Sequence, residues 1–293
     1  MNDEFSQSRG QDANAAVPIL TAADAALRRA SASGALQAIR TSLDWVDEAG
    51  FRFPVRWVDA LERKRKSGPP GPASNPFLPW DPELEVAPAG PDHVVLLNKF
   101  PVMDRHLLVI TRGFVSQDAP LGPSDFRAIA PLLAESGGLA FYNGGRTAGA
   151  SQPHRHLQWI PSDDVTRLPL LAEYEQCAHA AMASSPRLPF CHRIANCGGL
   201  ASADAMAQRF HASYLELCEQ LGILGAGALP AAYNLLFTSD AMIVVPRARE
   251  CVEEISLNAL GFAGSLFVPR PEMIDRVRRR GPLALLAAAT RSP

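Results

Sequence analysis

Two histidines and a glutamine, His154, His156 and Gln158, alternate with other residues along one short segment. The apolar residues that follow favour a strand, and the side chains of a strand point alternately to its two faces. We therefore expect both imidazoles and the amide on one face and the intervening residues on the other. An imidazole can attack phosphorus as a nucleophile and pass the captured group to an acceptor.

Small residues precede this motif, in the segment from Gly149 to Gln152. Small residues let a backbone approach a bulky anion closely. A histidine nucleophile beside such a segment predicts the transfer of a phosphoryl or nucleotidyl group, a chemistry that depends on positioning and on cancelling charge. The alternative is a structural or metal-binding histidine pair. Gln158 argues against a metal because an amide is a poor ligand at the third position.

Composition sets limits on the class of protein. The chain has 293 residues, 47% hydrophobic and 20% charged, with a net charge of −2. This predicts one large globular domain or two small ones. A nucleic-acid-binding protein usually shows a basic balance, which is absent here. We interpret the cluster Arg276–Arg280 as a solvated helix face rather than a nucleic-acid site.

The five cysteines are odd in number and include no Cys-x-x-Cys pair, which favours reduced thiols in a cytoplasmic protein. Cys191, His192 and Cys197 could form a metal corner, but a zinc site needs a fourth ligand at a recognisable spacing, so a structural loop is preferred. The N-terminal residues do not show a basic start followed by an apolar stretch, so no secretory signal is expected. Apolar runs such as 283–289 are too short to span a bilayer.

Hydrophobic periodicity and turn residues predict the elements that must position the motif. The first 17 residues are expected to be a flexible tail. The proline-rich segment 67–82 is expected to be a lid, a linker or a disordered loop bordering the site. The predicted helices cover one or two stretches of 20–48, a short stretch at 59–66, then 123–135 capped by Ser124, 203–221, 271–280 and 282–290. The predicted strands are 51–58, 84–87, 93–99, 106–112, 139–142, 154–161, 233–237, 242–245 and 265–268.

Several further segments, in the expected order, resemble those of the histidine-triad superfamily, in the branch whose motif ends in Gln. Within it the chain is similar to the diadenosine tetraphosphate phosphorylases, also called ATP adenylyltransferases. The resemblance spans about 36–270. The segments that carry it are 75–79, 93–100, 106–112, 142–144, 149–154, 232–236 and 244–247.

The resemblance implies an α+β fold, a histidine-triad-like antiparallel sheet flanked by helices, with a C-terminal portion that completes the nucleotide site. It implies a tail at 1–17, an N-terminal catalytic domain at 18–165 and a C-terminal ATP adenylyltransferase-like domain at 190–290. It also implies that His156 is the nucleophile, that Gln158 binds the non-bridging phosphate oxygens and that His154 helps to position the nucleophile.

Other residues are implied to contact the phosphates or the nucleotide because they occupy positions of the family's motifs. They are Lys64, Asn98, Lys99, Asn143, Gly149, Ala150, Ser151 and Gln152, and, at the C-terminal end, Asn258, Ala259 and Leu260. Two of them have ordinary alternatives, a solvated basic patch for Lys64 and a strand-end charge for Lys99. The alternative for His154 is core or edge packing.

Two positions depart from the family's pattern. The family's Asn-Ser-Thr-Gly segment falls on Asn258 to Gly261, where the side-chain hydroxyls are missing and contacts would come from the backbone. A lysine of the fungal pattern falls at or near Pro269, with Arg270 beside it.

The resemblance implies reversible phosphorolysis of diadenosine tetraphosphate to ATP and ADP through an adenylyl-histidine. The alternatives are a hexose-1-phosphate uridylyltransferase, whose motif more often has Pro where this chain has Arg155, and a non-catalytic nucleotide-binding protein of the same fold. The expected partners are nucleotides and phosphate, with no nucleic acid and no membrane. No resident cofactor or protein-bound metal is expected, and Mg²⁺ would enter with the nucleotide to screen its phosphates.

Overall fold

An antiparallel sheet of eight strands forms the centre of the fold. The computed structural model describes residues 17–37, 41–58, 75–101, 103, 105–165, 168–225 and 229–291. Within them the strands are β1 Thr41–Glu48, β2 Phe51–Val58, β3 Glu85–Ala89, β4 His93–Leu97, β5 Leu107–Thr111, β6 Leu139–Gly144, β7 His156–Ile160, β8 Arg193–Asn196, β9 Tyr233–Phe237, β10 Ala241–Pro246, β11 Cys251–Val252, β12 Ile255–Ser256 and β13 Leu266–Val268. The eight-stranded sheet has the order β3-β4-β5-β7-β6-β9-β10-β8.

The helices pack on both faces of this sheet. They are α1 Ile19–Ser33, α2 Pro123–Ser136, α3 Ser162–Val165, α4 Pro169–His179, α5 Ala203–Gln220, α6 Ala259–Ala263, α7 Met273–Arg280 and α8 Pro282–Ala289, with single 3₁₀ turns at Pro82–Leu84 and Arg146–Ala148. The α+β class predicted from the sequence is confirmed.

The two faces bury different apolar sets, as the alternation of strand residues requires. The back face, which carries Leu157 and Trp159, packs under α1, α2 and α5. The front face carries Ile160 and Phe141 and packs under α4, α6, α7, α8 and a small sheet in which β2 lies between β1 and β13. A separate apolar cluster on the front face lies beneath Phe77, against β4 and β5. The polar residues of the motif lie between these two front clusters.

The helical prediction for 20–48 is wrong in its second half. Helix α1 ends at Ser33, because Gly34 adopts a left-handed conformation with φ of 76°. Residues 41–48 instead form β1, which pairs with β2 across a tight turn in which Ala49 and Gly50 both have positive φ. The predicted cap Ser124 is also wrong: α2 is capped at Gly122, whose N–H donates to the Asp125 carboxylate at 2.8 Å.

Most other predicted elements within the described residues occur within a few residues of their predicted bounds. The motif strand begins at His156 rather than at 154, and His154 is held by an isolated bridge to Ser116. The tail predicted for 1–17 (Val17 apart), the helix predicted for 59–66, and the loop residues 67–74 lie outside the described residues. Helices α3, α4 and α6 and strands β8, β11 and β12 were not predicted.

The arginines of α7 are engaged with acidic side chains. Arg278 contacts Asp44 of β1 at 2.9 Å, and Arg276 and Arg280 lie within 4 Å of Glu254 and Glu253 respectively. This pairing on the surface agrees with the interpretation of a solvated helix face. In the part of the chain that the structure covers, none of the helices combines the length and the apolar character needed to cross a membrane.

Candidate active site

The imidazole of His156 is held in one tautomer. Its Nδ1 lies 2.8 Å from the backbone carbonyl oxygen of His154, which can only accept, so Nδ1 carries the proton. The lone pair is therefore on Nε2. Its backbone N–H donates to Gln117 Oε1 at 2.8 Å, and the residue is only 4% exposed. In this tautomer Nε2 is the ring nitrogen that can act as the nucleophile.

The imidazole of His154 is fixed separately. Asn75 Oδ1 accepts the Phe77 N–H, so the Asn75 Nδ2 donates to His154 Nδ1 at 2.9 Å. His154 Nε2–H then donates to the Thr111 carbonyl at 2.8 Å. Burial lowers the pKa of His154, which keeps the ring neutral near pH 7. The Phe77 ring lies against both His154 and His156, so the two imidazoles share the front face as predicted.

A second chain of amides orients Gln158. Asn98 Oδ1 accepts the Phe100 N–H, which leaves its Nδ2 to donate to His106 Nδ1 at 3.2 Å. His106 Nε2–H then donates to Gln158 Oε1 at 2.9 Å. With its oxygen engaged, the Gln158 amide presents its NH₂ group to the site. Two Asn residues therefore each fix a histidine, and one of those histidines fixes the glutamine.

Burial lowers the pKa of His106 to about 4, and the neighbouring His156 imidazole acts in the same direction. The hydrogen bond to Gln158 acts in the opposite direction but does not offset the burial. His106 is therefore neutral at physiological pH, as its role as an acceptor for Asn98 requires.

Replacing His106 by glutamine should flatten the dependence of stability on pH. The wild-type imidazole titrates near pH 4 when folded and near its ordinary 6.5 when unfolded, so between these values the unfolded state binds more protons. Stability should fall as the pH decreases through this window, by roughly 3 kcal/mol for this group. Urea unfolding of both proteins from pH 7 to 4 measures it. Equal pH slopes would contradict the assignment.

The small-residue segment before the motif keeps two backbone donors for a ligand. The N–H groups of Gly149 and Ala150 are taken by Arg146 O and Gly145 O in the preceding turn. Those of Ser151 and Gln152 have no hydrogen-bond partner among the described residues. Gly149 has φ of 90°, and a Cβ there would lie 2.8 Å from Leu257 O, so this glycine also admits the C-terminal part of the chain.

A buried arginine joins the two halves at this point. Within the C-terminal half, Arg247 Nη1 donates to Asn234 Oδ1 at 2.5 Å and to Leu257 O at 2.8 Å, and its Nη2 donates to Arg249 O at 2.7 Å. Its Nη1 also reaches Ala148 O, in the N-terminal half, at 3.3 Å. Asn234 Nδ2 in turn donates to Asn143 Oδ1 at 2.8 Å. Burial lowers the pKa of Arg247 only to about 10, so it stays charged and adds positive potential behind the small-residue segment.

Replacing Arg247 by methionine should destabilise the protein by at least about 3 kcal/mol, because several buried carbonyl oxygens lose their donor at once. The free energy of unfolding, measured with urea, tests this. Arg249→Met is the matched control: its side chain is exposed, and a change within about 0.5 kcal/mol is expected. A small effect at both positions would show that Arg247 does not join the halves.

The predicted C-terminal contacts lie next to Asn143. Asn258 caps α6 by accepting the Leu260 N–H, and the Ala259 N–H donates to Asn143 Oδ1 at 2.9 Å. The structure therefore brings this segment to the site, but both of these backbone donors are already engaged. The Asn143 and Asn258 Nδ2 groups have no partner among the described residues and are the donors this corner offers to a ligand.

Two lysines, Lys99 and Lys64, were also predicted to contact the phosphates. Lys99 follows Asn98 directly, and its ammonium has no ion-pair partner among residues in the described ranges. Lys64 lies outside those ranges, so its predicted role stays a prediction. Arg270, beside the position of the fungal lysine, pairs with Glu254 and Glu272, each at 3.0 Å. In the described residues, no group of three or more His, Cys, Asp or Glu side chains is arranged to hold a metal.

Sequence reasoning did not assign a role to several residues that build this site. Asn75, His106, Asn234 and Arg247 stood inside segments that resembled the family, so the signal was present but not read as function. Gln117 stood in no such segment. Cys191, His192 and Cys197 form no metal corner: His192 Nε2 accepts the Ser185 N–H at 2.9 Å, and Cys197 is 1% exposed.

The fold and two matching family models together define a nucleotidyltransferase. The family model described as Ap4A phosphorylase N-terminal domain matches residues 12–174, and the ATP adenylyltransferase C-terminal domain matches 186–291. The chain therefore belongs to the Ap4A phosphorylase family.

Two curated relatives come from Saccharomyces cerevisiae. Protein APA1 is 24% identical over 279 residues, which cover 85% of this chain and 86% of the relative. Diadenosine 5',5'''-P1,P4-tetraphosphate phosphorylase 2 is 27% identical over 236 residues, covering 70% and 72% respectively.

Solved structures agree on the fold. The crystal structure of yeast Ap4A phosphorylase Apa2 in complex with AMP has a TM-score of 0.76 at 19% identity and covers 94% of this chain and 97% of its own. The complex of the same enzyme with Ap4A has a TM-score of 0.76 at 21% identity and covers 93% and 97%.

Proposed function

We propose that this protein catalyses the reversible reaction of Ap4A with phosphate to give ATP and ADP, with His156 as the nucleophile. The observation that carries the proposal is the tautomer of His156, whose Nδ1 donates to the His154 carbonyl, so that the nucleophilic nitrogen of this tautomer is Nε2. The family match and the yeast relative diadenosine 5',5'''-P1,P4-tetraphosphate phosphorylase 2 support the choice of Ap4A as substrate.

The reaction is a double displacement at one phosphorus. His156 Nε2 attacks the α-phosphate of Ap4A, the P–N bond forms, and the bond to the bridging oxygen breaks to release ATP. The ring becomes positively charged, and the His154 carbonyl, which accepts from Nδ1, stabilises that charge. An oxygen of inorganic phosphate then attacks the adenylate, the P–N bond breaks and ADP leaves. Two inversions give net retention of configuration at phosphorus.

In this proposal the surrounding donors hold the transferred phosphate. The NH₂ group of Gln158 and the backbone N–H groups of Ser151 and Gln152 would bind its non-bridging oxygens. Asn143 and Asn258 offer side-chain amides from the opposite side of the site. Lys99, with Asn98 beside it, and Lys64 would offset the charge of the polyphosphate. Mg²⁺ would accompany the nucleotide and screen its phosphates.

Gln158 bears on the choice of acceptor. A histidine at this position could supply a proton and so assist water. A neutral amide stabilises oxygens but supplies no proton near pH 7. An acceptor that is already anionic, such as phosphate, needs no such assistance, so phosphorolysis is favoured over hydrolysis.

The test is to incubate the purified protein with Ap4A, with and without phosphate, and to separate the nucleotides by chromatography. The proposal expects ATP and ADP in equal amounts, only when phosphate is present. Two ADP, or ATP with AMP, formed without phosphate would show a hydrolase and contradict the account of Gln158. If Ap4A is inert, exchange activity with UDP-glucose would identify a uridylyltransferase. Binding of nucleotide without any exchange would identify a non-catalytic binding protein.

A further inference from the structure

Strands β6 and β7 separate where the site begins. Their pairing runs from Leu139–Ile160 to Phe141–Gln158 and then stops, although β6 continues to pair with β9 as far as Gly144. If the same register continued, Asn143 would face His156. The sheet is therefore open between His156, on β7, and Asn143, on β6.

The side-chain amide of Gln117 fills this opening. Its Oε1 accepts the His156 N–H at 2.8 Å, and its Nε2 donates to the Asn143 carbonyl at 2.9 Å. A longer contact of 3.4 Å joins Nε2 to the His156 carbonyl. The amide thus replaces the backbone hydrogen bonds that the two strands would otherwise exchange, and it sets the separation of the two strands at this point.

Gln117 is itself held on both sides. It is 1% exposed, its N–H donates to Pro153 O at 2.8 Å, and its carbonyl accepts from the Tyr142 hydroxyl at 2.6 Å. The following residues are pinned from the back face, where Arg155 Nη2 donates to the carbonyls of Ala119 and Pro120. The Gln117 amide is therefore a rigid spacer and not an adaptable surface group.

We propose that Gln117 is a positioning residue for the nucleophile: it fixes the backbone of His156 and the width of the opening between His156 and Asn143. The inference rests on the proposed function, since it assigns the residue a role in adenylyl transfer. A misplacement of about 1 Å at a reacting group can cost roughly a hundredfold in rate, while substrate binding through other groups survives.

The rate of adenylyl transfer in Gln117→Glu should depend on pH in a way that a merely structural role would not produce. One oxygen of the introduced carboxyl can still accept from His156 N–H, but the other then faces carbonyl oxygens. When ionised it repels them, whereas when protonated it can donate to Asn143 O. Single-turnover formation of adenylyl-enzyme at saturating Ap4A should therefore be slowed about a hundredfold at pH 8. At pH 6 it should recover to within about tenfold of wild type.

The matched control is Gln208→Glu, which adds the same charge at an exposed position of α5 and should follow wild type at both pH values. Gln117→Met, uncharged and of similar size, should be slow at both pH values while the dissociation constant of Ap4A stays within about threefold of wild type. If Gln117→Glu does not fold, the result for Gln117→Met tests the proposal alone. A wild-type rate in Gln117→Met, or in Gln117→Glu at pH 8, would overturn the proposal, and so would a loss of rate matched by an equal loss of Ap4A affinity.

A second readout is independent of the reaction. The NMR resonance of the hydrogen-bonded Nδ1–H proton of His156 can be assigned because it is absent in His156→Asn. In Gln117→Glu this resonance should disappear at pH 8 and return at pH 6. An unchanged signal would overturn the positioning role. If wild type forms no adenylyl-enzyme but this signal behaves as expected, the proposed reaction fails and the positioning of His156 by Gln117 stands.

Discussion

Replacing His156 by asparagine should reduce the phosphorolysis of Ap4A by roughly four orders of magnitude or more, because the group that forms the covalent bond is lost. Asparagine is preferred to alanine because its Nδ2 can still donate to the His154 carbonyl, so the local structure is preserved. Steady-state rates, with the nucleotide dissociation constant measured separately, give the comparison. The affinity for Ap4A should change much less than the rate.

His179→Asn is the control for this substitution. His179 lies exposed in the last turn of α4, away from the site, and its replacement should leave the rate within about twofold of wild type. If His156→Asn kept even a tenth of the wild-type rate, a direct attack of phosphate on Ap4A would have to replace the two-step reaction.

Gln158→Glu is the second large effect, and we expect a loss of about 10²–10³ in turnover, the range for removing one donor to a developing oxyanion. His106 would still donate to one oxygen of the new carboxylate, as it now does to Gln158 Oε1. The other oxygen would then face the phosphate with a negative charge where the wild type presents NH₂. Single-turnover rates at saturating Ap4A measure the effect on the chemical step.

The control for Gln158→Glu is again the exposed Gln208→Glu, which should not differ from wild type. A rate within about threefold of wild type for Gln158→Glu would mean that the amide donates nothing to the transferred phosphate. The chain from Asn98 through His106 to Gln158 would then be structural only.

The sequence predicted the placement of the motif side chains better than their surroundings. That His156 and Gln158 share one face follows from the period of a strand, since alternation depends only on local geometry. The tautomer of His156 could not be predicted in the same way. It depends on the carbonyl of His154, whose direction is set by a bridge to Ser116 that is distant in sequence.

The same limit explains the error at 41–48. Short apolar patterns of helix and strand overlap, and the outcome was decided by pairing with β2 and by the positive φ angles of Ala49 and Gly50. Gln117 was missed for a related reason. A glutamine in a loop carries no signal of its own, and its role exists only where β6 and β7 separate.

In the C-terminal half, the family resemblance predicted which residues lie near the site but not which of their donors are available. Asn258, Ala259 and Leu260 were placed near the site only because they aligned with a family segment. The structure brings them to Asn143, but it also shows that the Ala259 and Leu260 N–H groups are engaged within the protein. This detail depends on how α6 is capped, which no pattern in the sequence specified.

The most direct test of the central claim is to trap the covalent intermediate. The protein would be mixed with Ap4A in the absence of phosphate, and intact-mass spectrometry and peptide mapping would follow at once. The account predicts a stoichiometric gain of one adenylyl group on His156, labile to acid, with release of one ATP, and its discharge as ADP when phosphate is added. Turnover to ATP and ADP with no adduct at His156, under conditions where the adduct would survive, would contradict it.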